Sequence, residues 1–545
     1  MKANWIKRAA AAFVAAAFII ISGCTGKGTS TASPTVTLPP VIPLPTPTAP
    51  PAKGGTLRLS MPVNADKTDP LRVNTEEMLT LYSLVFESLL IVDGKGQLTP
   101  GLAENWSSDE TGTVWTIKLR AAARWHDTGA PITAADVVQS YNRIVNLSTS
   151  SYYSYVTRRV ASMEAAEDGS LVVTMKQQGV SALYALTFPV TESQSTATGN
   201  YPAGTGPYKF SFVSDEMVRL ERNDNWWKQA PNIDFVEFYA RESNEISLAS
   251  YAAGQLDMVF TSSLTVGRYR DDKNTAVLDM MTQNAEVMLL NFSNQNLRDV
   301  RIRQALAYAI DRSRIITNVY MNRARASDVP VPPDSWLYES KSAVYDYNAE
   351  LALSLFAEAG WTDVDEDGFL EKDGAHYSEL TLTLLVNDST DGVRRTAADL
   401  IKTQLEALGV HVEVVTAAYT LGDDTSEYLQ KLANGEFDLA LAGFNIGYDC
   451  NLSPYLNGTG VRNYGKYANA ALEQLVINVN TAVTEGEYLS AASALQMAFV
   501  EELPFITLYF RLNSVLYNTD IMGISEMREP DVLRNIASWY VAAVE

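Results

Sequence analysis

Histidine and positive charge are scarce in this chain of 545 residues. The three histidines, His126, His376 and His411, are isolated from one another, so a zinc site built from two or three histidine ligands is not expected. Acidic residues outnumber basic ones by 64 to 42, and the formal net charge is −22. This balance argues against binding to nucleic acid or to an anionic lipid surface, because both need clustered lysine and arginine. It also disfavours anionic ligands at long range.

Motifs of common catalytic classes are missing as well. The sequence contains neither a Gly-x-Ser-x-Gly nucleophile elbow nor a Gly-Lys-Ser/Thr phosphate loop. Gly204-Thr205-Gly206 superficially suggests a nucleotide loop, but Pro207 follows and no third glycine stands at the needed spacing. We therefore predict a tight turn that uses the permissive backbone angles of glycine. No enzymatic activity, metal or cofactor is expected.

The amino terminus has the features of an export signal. Lys2, Lys7 and Arg8 supply positive charge, and the uncharged apolar stretch 9–21 follows them. This stretch suits a signal peptide but is too short to cross about 30 Å of hydrocarbon. It ends in Ile21-Ser22-Gly23-Cys24, which resembles the lipobox of bacterial lipoproteins. In such proteins the cysteine receives a diacylglyceryl group and becomes the first residue after cleavage.

We therefore predict a signal peptide at 1–23 and a lipid anchor on Cys24 that holds the chain on the extracytoplasmic face of the cell membrane, in the periplasm or at the cell surface. The alternative is an ordinary signal peptide with a chance cysteine, which also places the mature chain outside the cytoplasm. After lipidation only Cys450 remains, so no disulfide within the chain can form. Residues 24–53 are predicted to be the lipidated cysteine and a tether rich in Pro and Thr, with a reach of about 90 Å.

The remaining chain of about 490 residues is too long for a single core and implies two or more domains. Alternation at 56–61 predicts an opening strand, with Leu57 and Leu59 on one face. Asn348 is expected to cap a helix that stops near Gly360. Farther on, buried strands alternate with helices that end at glycines, which predicts a parallel α/β layer. Its predicted elements are strand 380–386, helix 393–408, strand 410–415, helix 427–434 and strand 437–442.

Short motifs follow one another in a specific order from Gly54 onward. The first half contains Gly54-Gly55-Thr56-Leu57-Arg58, Asp69-Pro70, Pro100-Gly101-Leu102-Ala103-Glu104-Asn105-Trp106, Trp125-His126-Asp127 and Gly204-Thr205-Gly206-Pro207-Tyr208. The second half contains Asp299-Val300-Arg301-Ile302-Arg303-Gln304-Ala305-Leu306, Ala309-Ile310-Asp311-Arg312, Glu436-Phe437-Asp438 and Leu503-Pro504-Phe505-Ile506. In order and spacing the chain resembles the dipeptide and oligopeptide solute-binding proteins of bacterial ABC importers, which are extracellular solute-binding proteins of family 5.

This resemblance implies an α/β architecture of two lobes, the type II periplasmic-binding-protein-like fold. Lobe I would comprise residues 54–290 and 511–545 and carry an extra subdomain at about 99–200. Lobe II would comprise residues 291–510, and hinge crossovers would lie near both boundaries. Closure of such lobes around a ligand is a hinge motion.

The implied function is that of a substrate-binding lipoprotein of an ABC importer. It would capture an oligopeptide or dipeptide, hold its backbone through main-chain hydrogen bonds and deliver it to the membrane subunits of the importer. We expect a monomer that reaches the membrane through its lipid anchor. The alternatives are a binding protein for a non-peptide solute, such as a sugar or a nickel or heme chelate, and a peptide-pheromone or signalling receptor of the same fold.

The resemblance also implies two ligand-binding segments. The segment in lobe I consists of Asn74, Thr75 and Glu76. The segment in lobe II consists of Gly443, Phe444 and Asn445, with Phe444 in place of the family's tryptophan. An aromatic ring at this point would cover one face of a ligand at low entropic cost. The alternative for Phe444 is an ordinary core side chain.

One position departs from the pattern of the peptide-binding members. These proteins place an aspartate four residues after that glycine to pair with the ammonium group of the ligand, and here Gly447 occupies the position. Asp449 is the nearest carboxylate, and a bulge would return it to the pocket. Arginines that some oligopeptide binders use for the carboxylate end fall on Leu432 and Leu441. We therefore expect a ligand held mainly by backbone and aromatic contacts, such as a longer or blocked peptide or a non-peptide solute.

An acidic stretch in lobe II imitates the start of an EF-hand loop. Asp363, Asp365, Asp367 and Gly368 have the right spacing, but the twelfth position is Gly374 rather than glutamate. Glu371 stands at the ninth position. An acidic surface turn is the favoured interpretation, and a calcium site is the alternative.

Overall fold

The structure is a computed structural model that describes residues 52–63, 65–73, 75–147, 152–192, 201–372, 378–388 and 392–542. The predicted signal peptide, Cys24 and nearly all of the tether lie outside these residues. Among the described helices, none combines the length and the apolar character that crossing a bilayer requires.

The described chain contains both strands and helices. The strands are β1 (Thr56–Pro62), β2 (Leu90–Val92), β3 (Leu98–Pro100), β4 (Ala103–Ser108), β5 (Val114–Leu119), β6 (Val160–Ala165), β7 (Leu171–Met175), β8 (Tyr208–Val213), β9 (Met217–Arg222), β10 (Phe235–Arg241), β11 (Met258–Thr261), β12 (Thr275–Leu290), β13 (Ala324–Ala326), β14 (Trp361–Thr362), β15 (Glu371–Lys372), β16 (Ser378–Glu379), β17 (Thr381–Asp388), β18 (His411–Ala418), β19 (Leu439–Asn445), β20 (Phe505–Asn518), β21 (Ile521–Met522) and β22 (Tyr540–Val541). The helices are α1 (Glu76–Val85), α2 (Ala134–Val145), α3 (Ser154–Arg159), α4 (Asn244–Ala252), α5 (Val300–Ala309), α6 (Arg312–Asn318), α7 (Ala349–Glu358), α8 (Val393–Glu406), α9 (Glu427–Asn434), α10 (Ser453–Leu456), α11 (Ala470–Thr481) and α12 (Glu485–Glu502).

The largest sheet contains the predicted parallel layer. Its strand order is β11-β20-β12-β19-β17-β18, and β13 pairs with β20 off this path. β17 runs parallel to both β18 and β19, and α8 and α9 connect these strands. Leu382, Leu384 and Leu385 of β17 are fully buried, as expected of a parallel strand covered on both faces. The prediction of a parallel α/β layer is confirmed.

Two crossover strands run through this sheet from one part of the molecule to the other. β12 and β20 pair in antiparallel register from Thr275 opposite Asn518 to Leu289 opposite Phe505. The register shifts between Met281 and Ala285 and again between Glu286 and Val287. Such irregularities bend a strand and increase its twist.

Buried apolar side chains form two separate large cores. The first core draws on residues 57–280 and 515–539, and the second draws on residues 281–510 together with Tyr184. β12 and β20 contribute side chains to both cores. Two cores joined by paired crossover strands form the two lobes, here called the first and second lobe, of the predicted α/β type II fold.

Smaller sheets complete the first lobe. Their strand orders are β1-β10-β9-β8 and β4-β5-β7-β6. Leu57 and Leu59 of β1 are fully buried, which confirms the predicted opening strand. In the second lobe Asn348 caps α7 as predicted, because its side chain accepts a hydrogen bond from the Leu351 amide at 3.0 Å.

The turn at Gly204-Thr205-Gly206 has a different cause from the one predicted. Neither glycine adopts a positive φ, so permissive backbone angles do not explain them. Instead, a Cβ on Gly204 would lie 1.9 Å from the carbonyl oxygen of Val85. A Cβ on Gly206 would lie 2.4 Å from the carbonyl oxygen of Leu84. The end of α1 therefore packs against bare backbone and leaves no space for a side chain.

His126 ties the same turn to the first lobe through both ring nitrogens. Nδ1 accepts a hydrogen bond from the Gly204 amide at 3.3 Å, and Nε2 donates to the Gly206 carbonyl at 3.0 Å. Burial lowers the pKa of His126 to about 4. The imidazole is therefore neutral at pH 7, as its two hydrogen bonds require.

Replacing Gly204 with alanine should destabilise the protein. The added methyl group would overlap the Val85 carbonyl, and overpacking of this kind costs about 3 kcal/mol of unfolding free energy or more when the backbone must move. Urea titration measures the loss. Gly267→Ala is the matched control, because its Cβ would meet nothing within 4 Å; equal midpoints for the two variants would contradict the argument.

Acidification should weaken the fold through His126. Its pKa is about 4 in the folded chain, below the ordinary histidine value of 6.5 that applies to the unfolded chain. The unfolded chain therefore binds the proton first as the pH falls. Stability is complete above pH 6.5 and is lost as the pH falls toward 4, by about 3 kcal/mol. His126→Gln should lose correspondingly less between those two pH values in urea titrations, whereas the control His411→Gln should follow the parent protein.

Candidate binding cleft

A cleft with a volume of about 570 Å³ lies between the two lobes. Pockets for small molecules commonly have volumes of roughly 300–1,000 Å³. The first lobe contributes α1, β2, α3 and the segment 528–534, and the loop after β19 comes from the second lobe. Gln283 and Asn284 of the crossover strand β12 also line it. Cleft and hinge therefore share residues.

Tyrosine side chains form much of the wall. The rings of Tyr153 and Tyr155, at the start of α3, have centroids 6.1 Å apart. The Tyr184 hydroxyl donates to the Gly96 carbonyl at 2.6 Å, which fixes that ring. Burial raises the pKa of Tyr155 to about 12, so its hydroxyl stays neutral. Rigid rings with a polar tip provide contact area at a low cost in conformational entropy.

Asp449 enters the cleft through a tight turn after β19. The Cys450 amide donates to the Gly447 carbonyl at 3.0 Å, and Cys450 has a positive φ of 49°. A Cβ on Gly447 would lie 2.5 Å from Asp449 Oδ1. The resemblance leads one to expect aspartate at position 447. Gly447 instead leaves room for the carboxylate of Asp449, two residues later.

The Asp449 carboxylate is already engaged by the opposite lobe. Arg159, the last residue of α3, forms an ion pair with it. Arg159 is itself oriented because its Nη1 donates to the Ser181 carbonyl at 2.9 Å. The Tyr488 hydroxyl donates to the Asp449 main-chain carbonyl at 2.5 Å, which holds the turn in place. Asp449 is only 6% exposed.

Arg528 is a second cation of the cleft, and it is buried, with 7% of its surface exposed. Its Nη1 donates to the Gly94 carbonyl at 2.8 Å, and its guanidinium lies 4.2 Å from the ring centroid of Tyr448. In the amide orientation that satisfies both of its partners, Gln283 accepts from Arg528 Nη2 at 2.7 Å. Its buried Nε has no hydrogen-bond partner. No carboxylate in the described part of the chain lies within 4.0 Å of it.

The segment after Arg528 adds further charged groups. Glu529 accepts a hydrogen bond from Asn513 at 2.6 Å. Burial raises the pKa of Asp531, which favours its neutral form more than in an ordinary aspartate. Arg534 donates to the Val92 carbonyl and to Thr99 Oγ1, the latter at 3.1 Å.

The predicted site residues of the second lobe separate into two groups. Asn445 and Asp449 line the cleft, whereas Gly443 and Phe444 do not. Phe444 is 2% exposed and packs in the core, with ring-centroid distances of 4.3 Å to Tyr455 and 5.5 Å to Phe505. Phe444 is therefore placed as an ordinary core side chain, which was the alternative to a ligand contact. The ring does not line the cleft in the described arrangement.

The predicted segment of the first lobe stands just before α1. Asn74 lies outside the described residues, and the side chain of Glu76 is likewise not described. Thr75 precedes α1 without capping it through its side chain, and its buried hydroxyl has no hydrogen-bond partner. Thr75 does not line the cleft.

Neither the arginines nor the tyrosines of the cleft were predicted from the sequence. One signal was present, because Tyr152-Tyr153-Ser154-Tyr155 is a dense aromatic run that Arg158 and Arg159 closely follow. Aromatic rings next to arginines are common in binding sites. Arg528 had no comparable signal.

The acidic stretch in the second lobe does bring its carboxylates together. Ligand atoms of Asp363, Asp365, Asp367 and Glu371 all lie within 4.8 Å of one another. Glu371 is buried and accepts a hydrogen bond from the Val364 amide at 2.8 Å. These oxygen donors suit a hard cation such as Ca²⁺. Gly374, at the twelfth position, lies outside the described residues.

Comparison with known proteins agrees with this architecture. The sequence matches the bacterial extracellular solute-binding proteins, family 5 (middle region), over residues 97–466. It is 23% identical over 497 residues to the oligopeptide-binding protein AppA of Bacillus subtilis (strain 168), which covers 87% of this chain and 88% of AppA. It is 22% identical over 394 residues to the nickel-binding periplasmic protein of Escherichia coli (strain K12), which covers 69% and 73% of the two chains. The solved structure of MppA, a periplasmic murein tripeptide binding protein in its unliganded open form, gives a TM-score of 0.78 at 20% identity and covers 90% of this chain and 98% of that chain.

The family match spans more than half of the sequence, and the fold of MppA extends over most of the rest. The relatives are binding proteins by name, and the family is extracellular. The family inferred from the motifs is thereby confirmed: this chain belongs to the bacterial extracellular solute-binding proteins of family 5.

Proposed function

We propose that this protein is the substrate-binding lipoprotein of an ABC importer, that it captures a peptide or peptide-like solute between its lobes and that it hands the solute unaltered to the membrane subunits. The observation that carries the proposal is the cleft of about 570 Å³ lined by both lobes and by the hinge strand β12. Family membership supports the same role. We propose a monomer that is held at the extracytoplasmic face of the membrane through Cys24.

Lobe I would comprise residues 54–290 and 511–545, with the extra subdomain at about 99–200, and lobe II would comprise residues 291–510. The division of the buried side chains supports these boundaries, since the first core ends at Met280 and resumes at Val515. The sheet β4-β5-β7-β6 supports the subdomain.

Contacts across the cleft support closure as the binding step. Arg159 and Asp449 join the lobes on one side. Elsewhere a 3-10 helix, Val180–Leu186, meets the joint between α11 and α12. The Val180 amide donates to the Ala482 carbonyl at 2.8 Å, and Ser181 Oγ donates to the Asn480 carbonyl at 3.1 Å. A solute that fits would favour this closed arrangement over an open one, and the importer would read the closed surface.

Peptide is the favoured cargo, because neutral tyrosine rings and main-chain groups contact varied side chains without demanding one of them. AppA, named as an oligopeptide-binding protein, supports this choice. A non-peptide solute such as a nickel chelate is the second candidate. The arginine content of the cleft favours it, and the nickel-binding relative shows that the family includes such a protein.

Gently purified protein should release intact peptides when it is denatured, and mass spectrometry identifies them. Tyr155→Ala should retain less peptide, since the wall of the cleft loses a ring. A loss of about 1–2 kcal/mol, or roughly tenfold in affinity, is expected for such an aromatic contact. Tyr347→Ala is the matched control, because that ring is half exposed and outside the cleft. Equal retention by the two variants, or cleavage of added peptide, would contradict the proposal.

Cys24→Ser should abolish membrane attachment and leave solute binding intact. Without the thiol no thioether to diacylglycerol can form, so the protein should move from the detergent phase to the aqueous phase of a Triton X-114 partition. Cys450→Ser is the matched control, because Cys450 is buried in the folded body. Partition of the Cys24 variant with detergent would mean that the anchor lies elsewhere.

A further inference from the structure

The cleft contains more arginine than its carboxylates neutralise. The charged groups that line it are Arg158, Arg159, Arg528, Arg534, Asp449, Glu529 and Asp531. A local excess of cations stands out in a chain whose net charge is −22. Oriented charges inside a cleft act on a ligand more strongly than charges on the outer surface, because solvent screens them less.

Asp449 is not available as a partner for a cationic ligand. Its carboxylate is nearly buried and is ion-paired with Arg159, which the Ser181 carbonyl holds in position. An ammonium group would have to displace this guanidinium and leave it unpaired in the cleft. Breaking a buried pair by removing one partner is strongly unfavourable. The pair therefore disfavours a free amine at this end of the cleft.

Arg528 is in the opposite situation. Its guanidinium is nearly buried, is held by the Gly94 carbonyl and the Tyr448 ring, and has no carboxylate partner in the described residues. Carbonyl dipoles and a ring face compensate a full charge only in part. An anionic group on a solute would supply the missing counter-charge. Guanidinium hydrogen bonds to carboxylate or phosphate are among the strong ones in proteins.

The other two carboxylates do not reverse this balance. Asp531 is half buried, and its Oδ1 is inaccessible and has no hydrogen-bond partner. Burial raises its pKa, which weakens it as a partner for an ammonium group. Glu529 is engaged by the amide of Asn513.

Given the solute-binding function proposed above, we propose that the cleft selects solutes that carry an anionic group and lack an ammonium group, with Arg528 as the counter-charge. A peptide with a blocked amino terminus and a free carboxylate fits this description, and so does a non-peptide acid. The negative charge of the whole protein opposes such a solute only at a distance. Salt screens that repulsion within about 8 Å at physiological ionic strength.

Three matched mixtures of random tripeptides test the proposal. The first is N-acetylated with a free carboxylate, the second is zwitterionic, and the third has a free amine and an amidated carboxyl end. Purified protein is incubated with each mixture and gel-filtered, and retained peptides are quantified by mass spectrometry. Retention should fall in that order, with at least a tenfold difference between the first and third mixtures.

Variants then assign the preference to residues. Arg528→Gln should reduce the preference for the acidic mixture about tenfold, and Arg528→Lys should keep part of it, since the charge remains. Arg159→Gln should raise retention of the zwitterionic mixture, because Asp449 is then unpaired. Arg124→Gln removes an exposed arginine outside the cleft and should change nothing. Urea midpoints identify any variant that fails to fold.

Each outcome decides the matter. Equal or greater retention of the cationic mixture by the parent protein would overturn the inference and leave the solute-binding function standing. An unchanged preference in folded Arg528→Gln would also overturn it. If Arg528→Gln does not fold, an unchanged preference in both folded Arg528→Lys and folded Arg159→Gln would overturn it instead. Retention of none of the three mixtures would contradict peptide as the cargo, and this inference with it.

Discussion

The antiparallel pairing of β12 with β20 is the constraint that joins the two lobes. β12 contributes side chains to the first core and then to the second, and β20 contributes to them in the reverse order. Each lobe is therefore anchored to the same backbone ladder. The hydrogen bonds of such a ladder are local and directional, whereas the cores on either side are built from non-directional burial. The lobes can therefore keep their internal packing while the ladder between them bends. Cleft residues from distant parts of the chain meet because this ladder sets the distance between the lobes.

Charge in the cleft runs against the charge of the whole protein. A net charge of −22 favours solubility in general, and it predicts repulsion of anions at long range. Inside the cleft the balance of charge differs, because Asp449 is ion-paired with Arg159. Arg528 has carbonyl and aromatic partners but no carboxylate among the described residues. Net charge is a sum over the surface, and a ligand responds mainly to the few groups within a Debye length of its final position.

Features set by local sequence were predictable, and features set by contacts between distant residues were not. Helix 427–434 with its stop at Gly435, and the cap at Asn348, follow from neighbouring residues and were found as expected. Gly204 was assigned the wrong cause, because its neighbour Val85 is remote in sequence. Arg159 and Asp449 are 290 positions apart, and no spacing rule pairs such residues. The alternation of β19 did contain unused information, since Phe444 and Asn445 must point to opposite faces of a strand.

The register shift in β12 lies where the strand borders the cleft. Between Met281 and Ala285 the strand leaves its pairing with β20, and Gln283 and Asn284 within that interval line the cleft. If the lobes rotate about this ladder on binding, as proposed, the irregular segment of β12 is also the segment that a solute in the cleft contacts. A solute of the wrong shape would hold the backbone of this segment away from its closed conformation, and the lobes would stay partly open. In the proposed transport function, the angle between the lobes would then tell the importer whether the solute fits.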